Sequence, residues 1–298
     1  MKKEEHSMKT LKKTMALTLA VCLCCTLCTA AFASVFTDAH GNEIELDDTL
    51  EAYSGVVLYG ADDAARKGET NLGDFWADAL RWFAVSGRIN EFFEEDDVTA
   101  GNTQIAADAD HTVALWNGGN LRADIAEGRF GAEQLAEVLP YPNKAAVVYL
   151  TGSQLTEALE AASQGLPYSG ETAAACASFM QVSGLSYTVD TTVAYDRGEA
   201  YGDNWFKAAS LGRVAVTEVN GRPFDPEAVY AVITSNANFN GMDSSYVFKS
   251  AAEANEKSTV TTAVVRDVVW MYIAEELDHV IGEPYAGPQG RITVTAGE

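Results

Sequence analysis

Leu72, Phe75, Trp76, Ala79, Leu80 and Phe83 recur three and four residues apart, the spacing of one helix face. Thr70 or Asn71 is placed to cap the first turn of that helix. Two short apolar runs, 112–116 and 145–150, read as strands, and 132–138 between them as a short helix stopped by Pro140. Thr151-x-x-Gln154 is a capping box that opens a helix running to Ala162. Beyond Gly165 the pattern turns to strands over 179–189, 213–219 and 228–235, with Asn220-Gly221 as the hairpin dipeptide between the last two. Residues 191–211 read as an irregular loop and the acidic run 91–97 as a solvated one. Residues 260–277 read as a long apolar helix capped by Ser258 or Thr259, and 291–295 as a final strand. With no internal repeat and no Pro/Ser-rich linker, 34–298 is expected to be one α+β domain, a mixed β-sheet with helices packed on it.

The first 33 residues carry a different signal. Lys2, Lys3, Lys9, Lys12 and Lys13 precede an apolar core from Met15 to Leu27, and Ala31-Phe32-Ala33 is a small-x-small cleavage site. Cleavage is predicted before Ser34, giving a secreted product, extracellular or in the cell envelope; a retained anchor is the alternative. Cys22, Cys24, Cys25 and Cys28 leave with the signal, and Cys176, alone among alanines, reads as a small buried residue. Processing changes the net charge from −23 to −26, with 15 basic against 41 acidic residues. Such a field repels polyanions, so neither nucleic acid nor, after signal cleavage, an anionic membrane is an expected partner. A nucleotide could bind only where the surface is locally basic, which singles out the arginines.

The chemistry concentrates in Leu115-Trp116-Asn117-Gly118-Gly119-Asn120-Leu121-Arg122. Gly118 and Gly119 can take positive φ and let backbone approach a ligand closely. Asn117 offers a paired donor and acceptor, and Arg122 a planar fork suited to phosphate or carboxylate. In order around this run stand Glu69-Thr70-Asn71-Leu72-Gly73-Asp74, Leu139-Pro140-Tyr141, Leu150-Thr151-Gly152 with Leu159-Glu160, Gln181-Val182-Ser183-Gly184, and Asn240-Gly241-Met242-Asp243. The succession resembles the C-terminal, substrate-binding domain of the 5′-nucleotidase and UDP-sugar hydrolase family, whose opening block reads Glu-x-Asn-Leu-Gly-Asn.

The resemblance implies roles for single residues. Asn117 matches the asparagine that contacts the nucleoside, Arg122 the arginine directed at phosphate, and Tyr141 the first of two aromatic rings that sandwich the base. Asp243 matches the acid that accepts from ribose hydroxyls, and Gly184 a glycine close to the base; these residues are expected to line one cleft. Two positions depart: the second ring falls at Ala237, with Phe239 two residues on, and a further arginine falls at Gly68, with Arg66 and Lys67 nearby. In the family a separate N-terminal metallophosphatase domain holds two metal ions and performs the hydrolysis. After the signal this sequence has His40, His111 and His279 in no ligand spacing and 38 residues from Ser34 to Leu72. The resemblance therefore implies a binding domain with no catalytic residues, metal or cofactor of its own, for a nucleotide or nucleoside. It implies as well a possible partnership with a separate metallophosphatase. The alternative is a cell-surface structural or interaction module that kept the fold without a ligand.

Overall fold

Residues 112–117, 144–151 and 229–235 are apolar at almost every position because both faces of each strand are covered. The computed structural model describes residues 33–37, 43–47, 51–61, 63–93, 108–168 and 176–295. The signal segment up to Phe32, His40 and residues 94–97 of the acidic run lie outside them. The structure divides after Leu50. Before that point β1 (Ala33–Thr37) pairs antiparallel with β2 (Glu43–Asp47), Val35 opposite Glu45.

From Glu51 onward the elements are β3 (Glu51–Ser54), α1 (Asn71–Val85), β4 (Thr112–Asn117), β5 (Gly128–Gly131), α2 (Ala132–Val138), β6 (Lys144–Thr151) and α3 (Gly152–Ala162). Next come β7 (Met180–Ser183), β8 (Leu185–Asp190), β9 (Arg197–Tyr201), β10 (Trp205–Ala208), β11 (Val214–Val219), β12 (Arg222–Pro223) and β13 (Val229–Ser235). The last are α4 (Asn236–Phe239), α5 (Tyr246–Ala254), β14 (Thr259–Val264), α6 (Val265–Glu275), β15 (Val280–Ile281) and β16 (Ile292–Thr295).

The central sheet runs β14-β6-β13-β4-β7, with β13 and β4 parallel and the other neighbours antiparallel. Its strands alternate between two cores at period two. Ala114, Trp116, Ala145, Val147, Ala231 and Ile233 point to the core that holds the Phe75, Trp76 and Phe83 face of α1 and the Val265 and Val269 face of α6. Val113, Leu115, Val148, Leu150, Tyr230 and Val232 point to the opposite core, with Leu155 and Leu159 of α3 and Val247 and Phe248 of α5. A second sheet, β12-β11-β8-β16, and a small one, β15-β3-β5, complete the mixed α+β arrangement.

Thr70, not Asn71, caps α1, its hydroxyl accepting from the Gly73 amide at 3.1 Å. The Thr151/Gln154 capping box forms at both of its bonds. Four sequence expectations are corrected. Residues 260–277 are not one helix: Thr259, Val260, Thr261, Thr262 and Val264 are β-branched, which favours the extended β14 at the edge beside β6, and α6 starts only at Val265. The strand 179–189 is two, broken at Gly184, whose φ of 79° no strand accommodates. Asn220-Gly221 turns β11 into the short β12, not into β13, which lies in the other sheet. Residues 191–211 contain the β9–β10 hairpin, Trp205 opposite Tyr201.

Candidate functional site

β4 ends at Asn117, and the chain turns through one 3-10 turn, Gly118–Asn120, before Arg122. Neither glycine has positive φ. Their need is steric, and it comes from the protein, not a ligand. A Cβ on Gly118 would overlap the Ala65 carbonyl oxygen, and one on Gly119 would sit 2.5 Å from that of Ala177. The Gly118 amide donates to Phe179 O at 2.7 Å and the Gly119 amide to Ala177 O at 3.0 Å, so the turn is clamped at the end of the sheet. Asn117 is buried; its Oδ1 accepts from Asn120 Nδ2 at 2.8 Å and its Nδ2 donates to Ala177 O at 3.5 Å.

A cleft of about 370 Å³ opens over this turn, lined by Asn117, Gly119, Asn120, Arg122, Tyr141, Asn143, Ala177, Ala237, Met242 and Asp243. The Arg122 amide donates to Val138 O at 2.8 Å, which leaves the side chain free to reach Tyr141, the exposed residue after Pro140. Arg122 Nη2 donates to the Tyr141 hydroxyl at 3.2 Å, and its Cζ lies 5.6 Å from the ring centre. The guanidinium and an aromatic face are thus presented together. Asp243 enters from the loop between α4 and α5 in the left-handed region, φ 55°. Burial pushes its carboxyl above the usual carboxylate range, and the charge of Arg66 opposes that rise.

Arg66 is the residue that the motifs missed. It donates to Gly119 O at 3.3 Å and pairs with Asp63 at 3.2 Å, which sets a second guanidinium against the glycine turn within electrostatic reach of Asp243. The signal in the sequence was only that it is an arginine in an acidic chain, close to Gly68. At Gly68 itself a Cβ would meet nothing within 4 Å, so no packing requires glycine there. Ala237 does line the cleft, and Phe239 does not substitute for the missing ring, because it packs against the second core.

Gly184 is not brought to this cleft. It lines a separate cavity of about 280 Å³ with Asp78, Arg81, Ser183, Asn220 and Arg291. Its glycine is required by the strand break and by Arg81, whose Nε would lie 2.7 Å from a Cβ. The blocks around the site are structural wiring. Glu69 accepts the amides of Arg291 and Ile292 at 2.9 and 3.0 Å, and Asn71 bonds Tyr59 N, Val57 O and Tyr285 O. Gln181 ties Thr70 N to the carbonyls of Ala65 and Gly68, and buried Glu160 accepts the amides of Arg213 and Val214. Cys176 is buried, its thiol donating to Ala162 O at 3.1 Å and pushed up by burial. Among the described residues no three His, Cys, Asp or Glu side chains are gathered to hold a metal ion, and no helix is long and apolar enough to cross a membrane.

The arrangement offers the Arg122 guanidinium for an anionic group, with Arg66 held against the turn beside it, an amide and a carboxylate for polar contacts, and one ring for a flat ligand. The model of the 5′-nucleotidase C-terminal domain matches residues 51–250. A trifunctional nucleotide phosphoesterase protein, YfkN, of Bacillus subtilis (strain 168) is 31% identical over 152 residues, 51% of this chain and 8% of that protein. An apyrase of Tabanus yao is 24% identical over 262 residues, 87% of this chain and 39% of the apyrase. Among solved structures, a 5′-nucleotidase precursor from Thermus thermophilus superposes with a TM-score of 0.59 at 29% identity, over 83% of this chain and 39% of that one. The NAD nucleotidase of Haemophilus influenzae shares the fold, with a TM-score of 0.56 at 14% identity over 88% and 48% of the two chains. The chain therefore spans less than half the length of each of these relatives.

Proposed function

Because the chain belongs to the family of 5′-nucleotidase C-terminal domains, we propose that its cleft binds and orients a nucleotide or nucleoside. The observation that carries this is the convergence of Asn117, Arg122, Tyr141 and Asp243 on one opening beside Arg66. Arg122 and Arg66 receive the anionic end, Tyr141 stacks on the base, Asn117 contacts the nucleoside, and Asp243 accepts from sugar hydroxyls. Single-sided stacking follows from Ala237 and lowers affinity by about 1–3 kcal/mol relative to a two-ring site. The same alanine favours the second reading, an interaction module of the cell surface that kept the fold and lost the ligand.

These 298 residues supply binding without a two-metal hydrolytic centre of their own, and a metallophosphatase encoded separately or in another segment supplies the chemistry. The basic and apolar start supports a secreted protein beginning at Ser34. Phosphate release from AMP and UMP, with Mn²⁺, Co²⁺ or Zn²⁺ supplied, tests the division of labour. The purified chain should release none, and release should appear or rise when a metallophosphatase domain lacking its own C-terminal partner is added. Turnover by the isolated chain that survives repurification would contradict the reading.

A further inference from the structure

The β9–β10 hairpin is outside every motif that marks the family, yet it reaches the cleft loop. Its base is fixed to the helices behind the second core. Gln164 bonds Phe206 at both its amide and its carbonyl, at 3.0 and 3.2 Å, and the Ala208 amide donates to the Tyr246 hydroxyl at 3.0 Å. Tyr246 in turn donates to Glu157 at 2.8 Å. From this platform the Tyr201 hydroxyl donates to the Gly241 carbonyl at 2.7 Å, while its ring packs on Tyr246 with centres 5.7 Å apart.

Gly241 passes so close beneath Tyr201 that a Cβ there would overlap the phenol oxygen, and its φ is 82°. Two residues on, Asp243 also lies in the left-handed region, which a non-glycine residue adopts only when its surroundings hold it. Local bonds shape the bend, the Gly241 amide to Asn238 O at 2.9 Å and the Met242 amide to Ala237 O at 3.0 Å. They fix the loop to α4, whereas the Tyr201 bond fixes it against α3 and α5. We propose that Tyr201 is a positioning residue for Asp243: by holding the Gly241 carbonyl it sets where the carboxylate meets a ligand's vicinal hydroxyls, so the hairpin determines selectivity for ribosides.

This rests on the nucleoside reading above, and two measurements separate the two. The first is calorimetry of adenosine and 2′,3′-dideoxyadenosine against the full chain. Tyr201→Phe keeps the ring packing and removes one hydrogen bond; adenosine should weaken about five- to tenfold, the value of one net hydrogen bond, with dideoxyadenosine unchanged. In an Asp243→Ala background the same substitution should add nothing. Equal weakening of both ligands, or an undiminished affinity for adenosine, overturns the proposal. The second is amide exchange in the ligand-free protein. The Gly241 and Met242 amides should exchange about tenfold faster in Tyr201→Phe, those of α5 at the wild-type rate; unchanged loop exchange overturns the proposal. Should no nucleoside bind the wild type, the nucleoside reading fails, and the exchange result still decides whether Tyr201 holds the loop.

Discussion

Arg122 and Tyr141 are coupled before any ligand arrives, through one hydrogen bond and a guanidinium lying near the ring. Their contributions to binding nevertheless separate by chemistry. Arg122 acts on charge, and in a chain of net −23 it must outweigh a repulsive field locally. Arg122→Ala should therefore cost about 1.5–3 kcal/mol for AMP and much less for adenosine, as read by calorimetry. Tyr141→Ala should weaken both by a similar amount, about 1–3 kcal/mol, because stacking is blind to phosphate. An equal loss for both ligands at Arg122 would make that arginine structural. The placement of Asn117, Gly119, Arg122, Tyr141 and Asp243 on one cleft was legible in the sequence, because each sits in an ordered block of a known domain. Gly184 was not legible, because order along the chain does not tell which side of a strand break faces a cavity. The reason for Gly118 and Gly119 was misjudged on the same ground: only the fold reveals that the carbonyls of Ala65 and Ala177 occupy the space of their side chains. Arg66 was noted only as a neighbour of Gly68, because it is fixed by a carbonyl and a neighbouring aspartate, not by a motif position.

Helices with one apolar face and a polar cap were readable to within a residue or two, since α1, α2 and α3 take their bounds from spacing, proline and capping box. The run from 260 to 277 was not, because an apolar stretch of β-branched residues suits a strand or a buried helix equally until its neighbour is known. The neighbour is β6, with Thr259 opposite Val147. Likewise Asn220-Gly221 marked a hairpin but not its second strand correctly: the partner is the short β12, not 228–235, because the pairing is set by the sheet and not by the turn. The contact of α1 with the C-terminal segment holds an unusual acid. Asp74 is fully buried, accepts the Gln289 amide at 2.9 Å, and has Arg291 3.8 Å from its other oxygen, where the family pattern carries asparagine. Burial pushes its carboxyl up to about 8; Arg291 opposes the rise, and Glu69 and Asp78 add to it. Unfolded, this carboxyl titrates near 3.8. Below that pH both states are protonated and its contribution is complete; as pH rises towards 8 only the unfolded state ionises freely, so stability is lost across that window. Asp74→Asn should flatten the melting temperature between pH 5 and pH 8 and raise it most at the alkaline end. A wild-type pH profile indistinguishable from that of Asp74→Asn would show that Asp74 is ionised in the folded protein.

From Glu51 onward the central sheet is covered on both faces, and the turn Gly118–Asn120 lies clamped at the end of its strand β4. The clamped glycines hold that turn, Gln181 fixes the loop before α1 through the Ala65 and Gly68 carbonyls, Arg66 donates to the turn at Gly119 O, and Arg122 lines the opening. A strongly acidic chain that places Arg122 and an exposed tyrosine at one opening, with Arg66 against the turn beside it, suits the small anionic, ring-bearing ligand proposed above. The titration of AMP into the full chain by calorimetry, with adenosine and inorganic phosphate in parallel, tests this most directly. The account predicts one site per chain, AMP tighter than adenosine, and a difference between them that disappears in Arg122→Ala. No heat from any of the three at millimolar concentration, or AMP affinity untouched by Arg122→Ala, would contradict it.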